Sequence, residues 1–229
     1  MKEQPKYSGI FQYIVENYQF PDKSSPEEEF QEKDIEDQYE KLDGHVNEKR
    51  FRFGSLEDAA GVVKEFAIGA GADLVGFTRV KDDMKFEGAD VPGEYAVILG
   101  YEMDREVIQT APEPPAGREA LRAYWRLGYI VQKVAEFIRY LGYPARGHQV
   151  RSFIKDPPTV LLPIAGVHAG LGEVGRMGLL ITPEFGPRVR LGAVTTDLVL
   201  PDSGPKSFGV EEFCSHCDLC MEGCMGNAI

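Results

Sequence analysis

The sequence predicts a core of mixed helices and strands, followed by a loop tail that holds every cysteine. Three observations support this fold class. Apolar residues recur at helical spacing over Arg118–Tyr140. Two short apolar runs, Ala72–Thr78 and Tyr95–Tyr101, are typical of buried strands. All four cysteines of the 229-residue chain lie between Cys214 and Cys224.

We divide the chain into an N-terminal extension (1–54), a core (55–204) and a cysteine segment (205–229). The extension contains a strongly acidic run from Pro26 to Asp43, which predicts a solvated helix or linker. The core begins at Ser55-Leu-Glu-Asp58, which resembles a capping box and predicts a helix that ends near Gly69.

The longest predicted helix ends at Leu141-Gly-Tyr143 because glycine and the following proline stop helices. Further elements are a helix from about Thr159 to Ala169 and a strand around Arg188–Leu200. One face of the longest helix is predicted to carry Leu121, Tyr124, Gly128, Val131, Ala135 and Ile138.

Composition limits the possible partners. The net charge is −12, from 25 Lys and Arg against 37 Asp and Glu, so a nucleic-acid partner is not expected. No apolar run is long enough to span a membrane, and the N-terminus lacks the layout of a secretory signal. We therefore expect a cytoplasmic protein without a membrane span.

The spacing C-x2-C-x2-C-x3-C, formed by Cys214, Cys217, Cys220 and Cys224, predicts an iron–sulfur site. Zinc is the alternative, although zinc sites normally use two well-separated cysteine pairs. Disulfides are disfavoured because so short a segment constrains their geometry. His216 lies within the motif and is predicted to be a neighbour of the cluster or a hydrogen-bond donor to sulfur.

The sequence contains no second set of cysteines. In two-cluster ferredoxin modules the fourth cysteine of such a motif binds the other cluster. Two interpretations stay open: one [4Fe–4S] cluster uses all four thiolates, or the chain is a truncated form of a longer protein.

A glycine-rich segment, Gly170-Leu-Gly-Glu-Val-Gly-Arg-Met-Gly178, precedes the last predicted strand. Its Gly-x-Gly-x-x-Gly pattern is weak evidence for dinucleotide binding, because a helix-like stretch and not a strand comes before it.

The run from Ala169 to Leu198 resembles the signature of corrinoid-dependent reductive dehalogenases. The resemblance extends upstream through Ala72–Gly76, Ile98–Met103 and Glu136–Tyr143, and it covers roughly Ser55 to Ile229. Epoxyqueuosine reductases are similar relatives, but they usually lack the Ile-Thr-Pro-Glu-Phe-Gly-Pro run and act on tRNA.

The resemblance implies an α+β, nitroreductase-like domain that holds base-off cobalamin, followed by a ferredoxin-like segment; the family has two [4Fe–4S] clusters. It also implies a small organohalide substrate and a reduced ferredoxin- or flavodoxin-type electron donor. Within the motifs, the resemblance places a proton-donating tyrosine at Tyr124 and its arginine partner at Arg190.

A guanidinium near a tyrosine favours the phenolate and makes proton donation easier. Alternatively, Tyr124 is a core aromatic residue and Arg190 pairs with a structural carboxylate such as Asp197. Gly170, Gly172 and Gly175 are predicted to let the backbone approach the corrin ring, or else to pack within a turn.

Asp156 is a further predicted cofactor-binding residue, since relatives place a polar active-site residue in that stretch. We do not expect His148 or His168 to bind cobalt, because the resemblance implies no lower histidine ligand. Three functions follow as hypotheses: a reductive dehalogenase, an electron-transfer or corrinoid-binding protein without that activity, and a tRNA-modifying epoxyqueuosine reductase-like enzyme.

Overall fold

The computed structural model describes residues 42–148, 158–224, 226 and 228–229. Its centre is a four-stranded sheet formed by β1 (Leu74–Arg79), β2 (Tyr95–Glu102), β3 (Ala145–His148) and β6 (Val189–Thr196). The strands lie in the order β1–β2–β6–β3, and every neighbouring pair is antiparallel. A separate two-stranded hairpin is formed by β4 (Glu173–Val174) and β5 (Leu180–Ile181).

Helices connect and cover these strands. The described helices are α1 (Leu56–Gly69), α2 (Arg105–Ile108), α3 (Pro114–Tyr140), α4 (Leu162–His168), α5 (Val210–Ser215) and α6 (Leu219–Glu222). The mixed helix-and-strand class predicted from the sequence is therefore confirmed. Ser55 caps α1 as predicted, because its hydroxyl accepts a hydrogen bond from the backbone N–H of Asp58.

Strand β2 is buried on both sides, since helices lie on both faces of the sheet. Val97 and Leu99 pack with α1 and α3 in the larger hydrophobic cluster. Ala96 and Ile98 point to the opposite face and pack with α4. This arrangement explains why β2 reads as a continuous apolar run and not as an alternating one.

Residues 42–53, assigned above to the N-terminal extension, contact the end of α3. The backbone N–H of Phe51 donates to the carbonyl of Leu141, and that of Asn47 donates to the carbonyl of Arg139. Gly142, at φ +86°, ends the helix where a Cβ would meet Lys49 and Arg50. Glycine therefore suits both the backbone conformation and the close contact.

Three details differ from the predictions. The cysteine tail is not all loop, because α5 and α6 form within it. Leu121 is 53% exposed and does not share the buried face of α3. Helix α4 begins at Leu162, because Val160 instead pairs with Lys85 in an isolated bridge. No helix in the described part of the chain has the length and apolar character needed to cross a membrane.

Candidate functional site

Tyr124 and Arg190, the pair singled out from the sequence, are in contact. Tyr124 lies on α3 and Arg190 on β6, and the guanidinium carbon lies 4.4 Å from the centroid of the tyrosine ring. This is a cation–π arrangement in which the charge faces the ring. In the part of the chain that the structure describes, the Nε atom of Arg190 is buried and has no hydrogen-bond partner.

The structure does not support the alternative partner of Arg190. Arg190 is the second residue of β6, whereas Asp197 follows the end of that strand and is exposed. Seven residues of strand separate the two by about 23 Å. A buried donor without a partner is costly, so Arg190 Nε marks a place where a polar ligand atom would be stabilised.

A buried ion pair, missed from the sequence, lies beside this pair. Arg122 donates from Nε and Nη2 to the two carboxylate oxygens of Glu119, each at 2.6 Å, and from Nη1 to the Tyr101 hydroxyl at 3.0 Å. Tyr101 is the register partner of Arg190 across β2 and β6, so the two side chains share one face of the sheet.

Glu119 also anchors the start of α2. One of its carboxylate oxygens accepts a hydrogen bond from the backbone N–H of Asp104 at 2.7 Å. Its side chain is 5% exposed, and its hydrogen bond with Arg122 is the main reason that the pKa of the guanidinium is raised. The i, i+3 spacing of Glu119 and Arg122 is visible in the sequence and is typical of a helical ion pair. The burial of Glu119 is not visible in the sequence.

The predicted cofactor-binding glycines each lie close to other parts of this chain. A Cβ on Gly170 would meet the carbonyl of Gly204, and one on Gly172 would meet the carbonyl of Ile181. A Cβ on Gly175 would meet the side chain of Ile181. Packing within the chain thus accounts for all three glycines, and their contact with a corrin ring stays a prediction.

The glycine-rich segment also binds the cysteine segment through two charged side chains. Glu173 accepts hydrogen bonds from the backbone N–H groups of Phe208 (2.6 Å) and Val210 (3.1 Å) at the start of α5. These bonds, that of Val210 first, lower the pKa of the Glu173 carboxyl. Arg176 donates to the carbonyl of Cys214 at 2.5 Å and to Asp218 at 3.0 Å.

The four cysteines follow one another along α5, α6 and the flanking turns. All four cysteines are partly buried: Cys214, Cys217, Cys220 and Cys224. This donor set suits an iron–sulfur cluster chemically, because soft thiolates are its normal ligands. Across residues 42–148 and 158–224, however, no three Cys, His, Asp or Glu side chains are close enough together to hold a metal ion.

The histidines have ordinary hydrogen-bond partners. His148 lies between the hydroxyls of Thr159 and Thr195. His168 contacts the carboxylate of Asp83 at 2.8 Å. In the cysteine segment, His216 Nδ1 lies 2.8 Å from the Ser215 hydroxyl. Asp156, the remaining predicted cofactor-binding residue, lies outside the described residues.

Comparisons with known proteins place this geometry in context. The tetrachloroethene reductive dehalogenase of Desulfitobacterium hafniense is 35% identical over 161 residues, which cover 70% of this chain and 28% of that protein. The enzyme of the same name from Sulfurospirillum multivorans is 40% identical over 137 residues (59% and 26%). An epoxyqueuosine reductase from Aliivibrio fischeri is 35% identical over 98 residues (43% and 23%). No protein-family model matches the sequence.

Solved structures give the same result. A catabolic reductive dehalogenase in complex with 3-bromo-4-hydroxybenzoic acid superposes with a TM-score of 0.76 at 28% identity, over 86% of this chain and 30% of that one. Another reductive dehalogenase structure, described in connection with B12-dependent dehalogenation, gives a TM-score of 0.76 at 28% identity over 85% of this chain and 30% of that one. An epoxyqueuosine reductase bound to a tRNA stem loop gives 0.55 at 15% identity over 76% and 53%, which shows a shared fold alone.

All of these relatives are named as reductases or reductive dehalogenases. The chain is a member of the reductive dehalogenase family, as the resemblance in the sequence predicted, with epoxyqueuosine reductases as more distant relatives. The chain spans about three-tenths of the length of the relatives it matches.

Proposed function

We propose that this chain is the cofactor-binding part of a reductive dehalogenase, which removes halogen from a small organohalide by reduction. The overall reaction consumes two electrons and one proton, breaks the carbon–halogen bond, forms a carbon–hydrogen bond and releases halide. The observation that carries the proposal is the contact of Arg190 with Tyr124, since it joins the two residues that the family motifs single out.

In this proposal Tyr124 donates the proton from its hydroxyl and regains one from solvent. Arg190 orients the tyrosine ring, and its positive charge stabilises the phenolate left after proton transfer. The unsatisfied Nε of Arg190 is available for a polar atom of the cofactor or substrate. Cobalamin, when bound, supplies the low-potential reduction of the carbon–halogen bond.

We propose that the corrinoid is bordered by the glycine-rich segment with Gly170, Gly172 and Gly175, and by Asp156. Cys214, Cys217, Cys220 and Cys224 would hold one [4Fe–4S] cluster for single-electron transfer, and a reduced ferredoxin- or flavodoxin-type protein would be the electron donor. The architecture in this proposal is a nitroreductase-like domain with a ferredoxin-like segment, in the cytoplasm. The four thiols and the similarity to reductive dehalogenases support it.

The test uses protein reconstituted anaerobically with iron, sulfide and cobalamin, and reduced with a low-potential viologen dye. Halide release from 3-bromo-4-hydroxybenzoic acid and from tetrachloroethene is measured. We expect Tyr124→Phe to lower the rate by about 10²–10⁴-fold, which is the usual contribution of a general acid. Tyr140→Phe, on an exposed residue of the same helix, is the control and should leave the rate unchanged.

Iron content and the cobalamin absorption spectrum show whether each variant carries its cofactors. Full cofactor content without halide release from any organohalide would favour an electron-transfer or corrinoid-binding role. Salt-sensitive tRNA binding would favour the epoxyqueuosine reductase-like alternative. Equal rates for the wild type and Tyr124→Phe would contradict the role given to Tyr124.

A further inference from the structure

Arg176 makes three contacts that span the cysteine motif. Its Nη2 donates to the carbonyl of Cys214 at 2.5 Å, and its Nη1 lies 3.0 Å from a carboxylate oxygen of Asp218 and 3.3 Å from the sulfur of Met221. Cys214 belongs to α5, whereas Met221 belongs to α6. One side chain from the β4–β5 hairpin therefore contacts both short helices that carry the thiols.

The same hairpin holds the other end of α5. Glu173, three residues before Arg176, accepts hydrogen bonds from the backbone on both sides of Gly209, at the point where α5 begins. The two segments are also close between these contacts, because a Cβ on Gly175 would lie 3.7 Å from the sulfur of Cys214. The position of the first thiol is thus fixed by backbone contacts at each end of its helix.

The charge of Arg176 has a consequence beyond position. A cluster held by thiolates becomes more negative by one charge when it accepts one electron, and no proton need accompany the electron. Net charge and hydrogen bonding around the sulfurs set the reduction potentials of such clusters. The guanidinium of Arg176 is a positively charged group next to the cysteine segment.

The negative charge of Asp218, which lies next to Arg176, has a weaker effect on the thiols than the positive charge of Arg176. Asp218 is 61% exposed, whereas the Arg176 side chain is 32% exposed, so solvent screens the carboxylate more strongly than the guanidinium. The contribution of this pair to the field at the nearest thiols should therefore be positive.

We propose that Arg176 is a positioning residue for the cysteine segment and that its fixed charge raises the reduction potential of the cluster held there; this inference rests on the iron–sulfur site proposed above. Arg176 favours the reduced cluster, which carries one more negative charge. Its loss therefore makes the cluster harder to reduce.

The experiment is a titration of the reconstituted protein with dithionite, which supplies the electron, at controlled potential. Electron paramagnetic resonance monitors the reduced cluster. For Arg176→Gln with full iron and sulfide content, we expect about a tenfold lower ratio of reduced to oxidised cluster at a fixed potential. A tenfold change in this ratio corresponds to a reduction potential that is lower by about 59 mV for a one-electron couple. Arg176→Lys keeps the charge and should restore most of the potential.

Asp218→Asn is the second variant, because it removes the screening anion and leaves the cation in place. We expect Asp218→Asn to raise the reduction potential of the cluster. If Arg176→Gln loses its cluster, the result for Asp218→Asn decides whether charge at this place sets the potential. Unchanged potentials in both fully loaded variants would overturn the inference. The absence of iron from the reconstituted wild type would instead refute the proposed cluster site itself, and halide release is not needed for either outcome.

Discussion

At the scale of single residues, the Glu119–Arg122 pair is a short, doubly hydrogen-bonded ion pair beside the candidate site. The carboxylate is almost fully buried and binds both a guanidinium and the backbone of Asp104. Removing one member of a buried pair leaves the other charge without compensation. The pair therefore matters for stability and for the position of Tyr101.

We expect Glu119→Gln to lower the free energy of unfolding by about 3 kcal/mol, because Arg122 would keep its charge and lose its anion. Urea unfolding measures this loss. The control is Glu136→Gln on the same helix, which breaks a pair of equal i, i+3 spacing in which the carboxylate side chain is 46% exposed. That change should cost no more than about 0.5 kcal/mol. Equal losses in the two variants would show that the burial of Glu119 is unimportant.

The sequence identified Tyr124 and Arg190 only through the family motifs. Spacing along the chain says nothing about two residues that lie on different elements, and the approach of the guanidinium to the ring face was not predicted. Glu119 and Arg122 have a visible helical spacing, but many such pairs are exposed. Their importance depends on burial between α3 and the sheet, which sequence spacing does not encode.

At the scale of elements, α1 and α3 are joined by two stacked aromatic rings. The centroids of Phe66 and Phe137 lie 4.1 Å apart with an interplanar angle of 4°, and both side chains are buried. Each ring removes a large apolar area from water. This contact fixes α1 against the C-terminal half of α3.

Phe137→Ala should therefore lower the free energy of unfolding by about 3–5 kcal/mol, since it leaves a cavity between the two helices. Thermal and urea unfolding provide the measurement. Leu121→Ala is the matched control on α3, because Leu121 is largely exposed, and its expected effect is within about 0.5 kcal/mol. A small effect at Phe137 would mean that the helices repack around the missing ring.

The long elements were predictable because each contains enough residues to show a period. Helices α1 and α3 and strands β1 and β2 appear close to their predicted positions. The helices α5 and α6 have six and four residues, which is too short for a periodic signal, and the tail was therefore predicted as loop. Leu121 matched the period of α3, but the partner surface does not extend that far.

At the scale of the whole molecule, stability should depend on pH through His148. Burial, followed by the nearby charge of Arg146, lowers the pKa of His148 to about 4 from its ordinary value near 6.5. Between these two values the unfolded chain binds a proton that the folded chain does not bind. The contribution of His148 to stability is thus complete above pH 6.5 and is lost as the pH falls towards 4.

We expect the free energy of unfolding of the wild type, relative to His148→Gln, to fall by about 3 kcal/mol between pH 7 and pH 4. Urea unfolding of both proteins at several pH values measures the difference between their free energies of unfolding. The contributions of the carboxylates cancel in this difference, because both proteins contain the same carboxylates. A difference that stays constant over this range would mean that His148 is protonated equally in both states. His45→Gln is the control, because His45 is exposed in the segment before α1, and its difference from the wild type should change little over the same pH range.

The order of strands in the sheet could not be predicted from the sequence. Strand β6 lies between β2 and β3, although the long helix α3 and the glycine-rich segment separate these strands along the chain. Such pairing depends on contacts between distant segments and not on local propensity. The resemblance to a known family was the only sequence feature that implied the architecture.

Helix α3 is about 40 Å long, and its two ends have different surroundings. Near the C-terminal end, the Arg139 guanidinium donates to the carbonyls of Leu42 and Ala145, which fixes that end to the segment before α1 and to β3. Tyr124 lies fifteen residues earlier, at a distance of about 22 Å along the axis. A tilt of about 3° about the fixed end would displace the tyrosine by about 1 Å, a misplacement large enough to slow a reaction about a hundredfold. In the proposed reaction, a substitution at Arg139 would thus slow proton transfer from Tyr124 without changing any reacting atom.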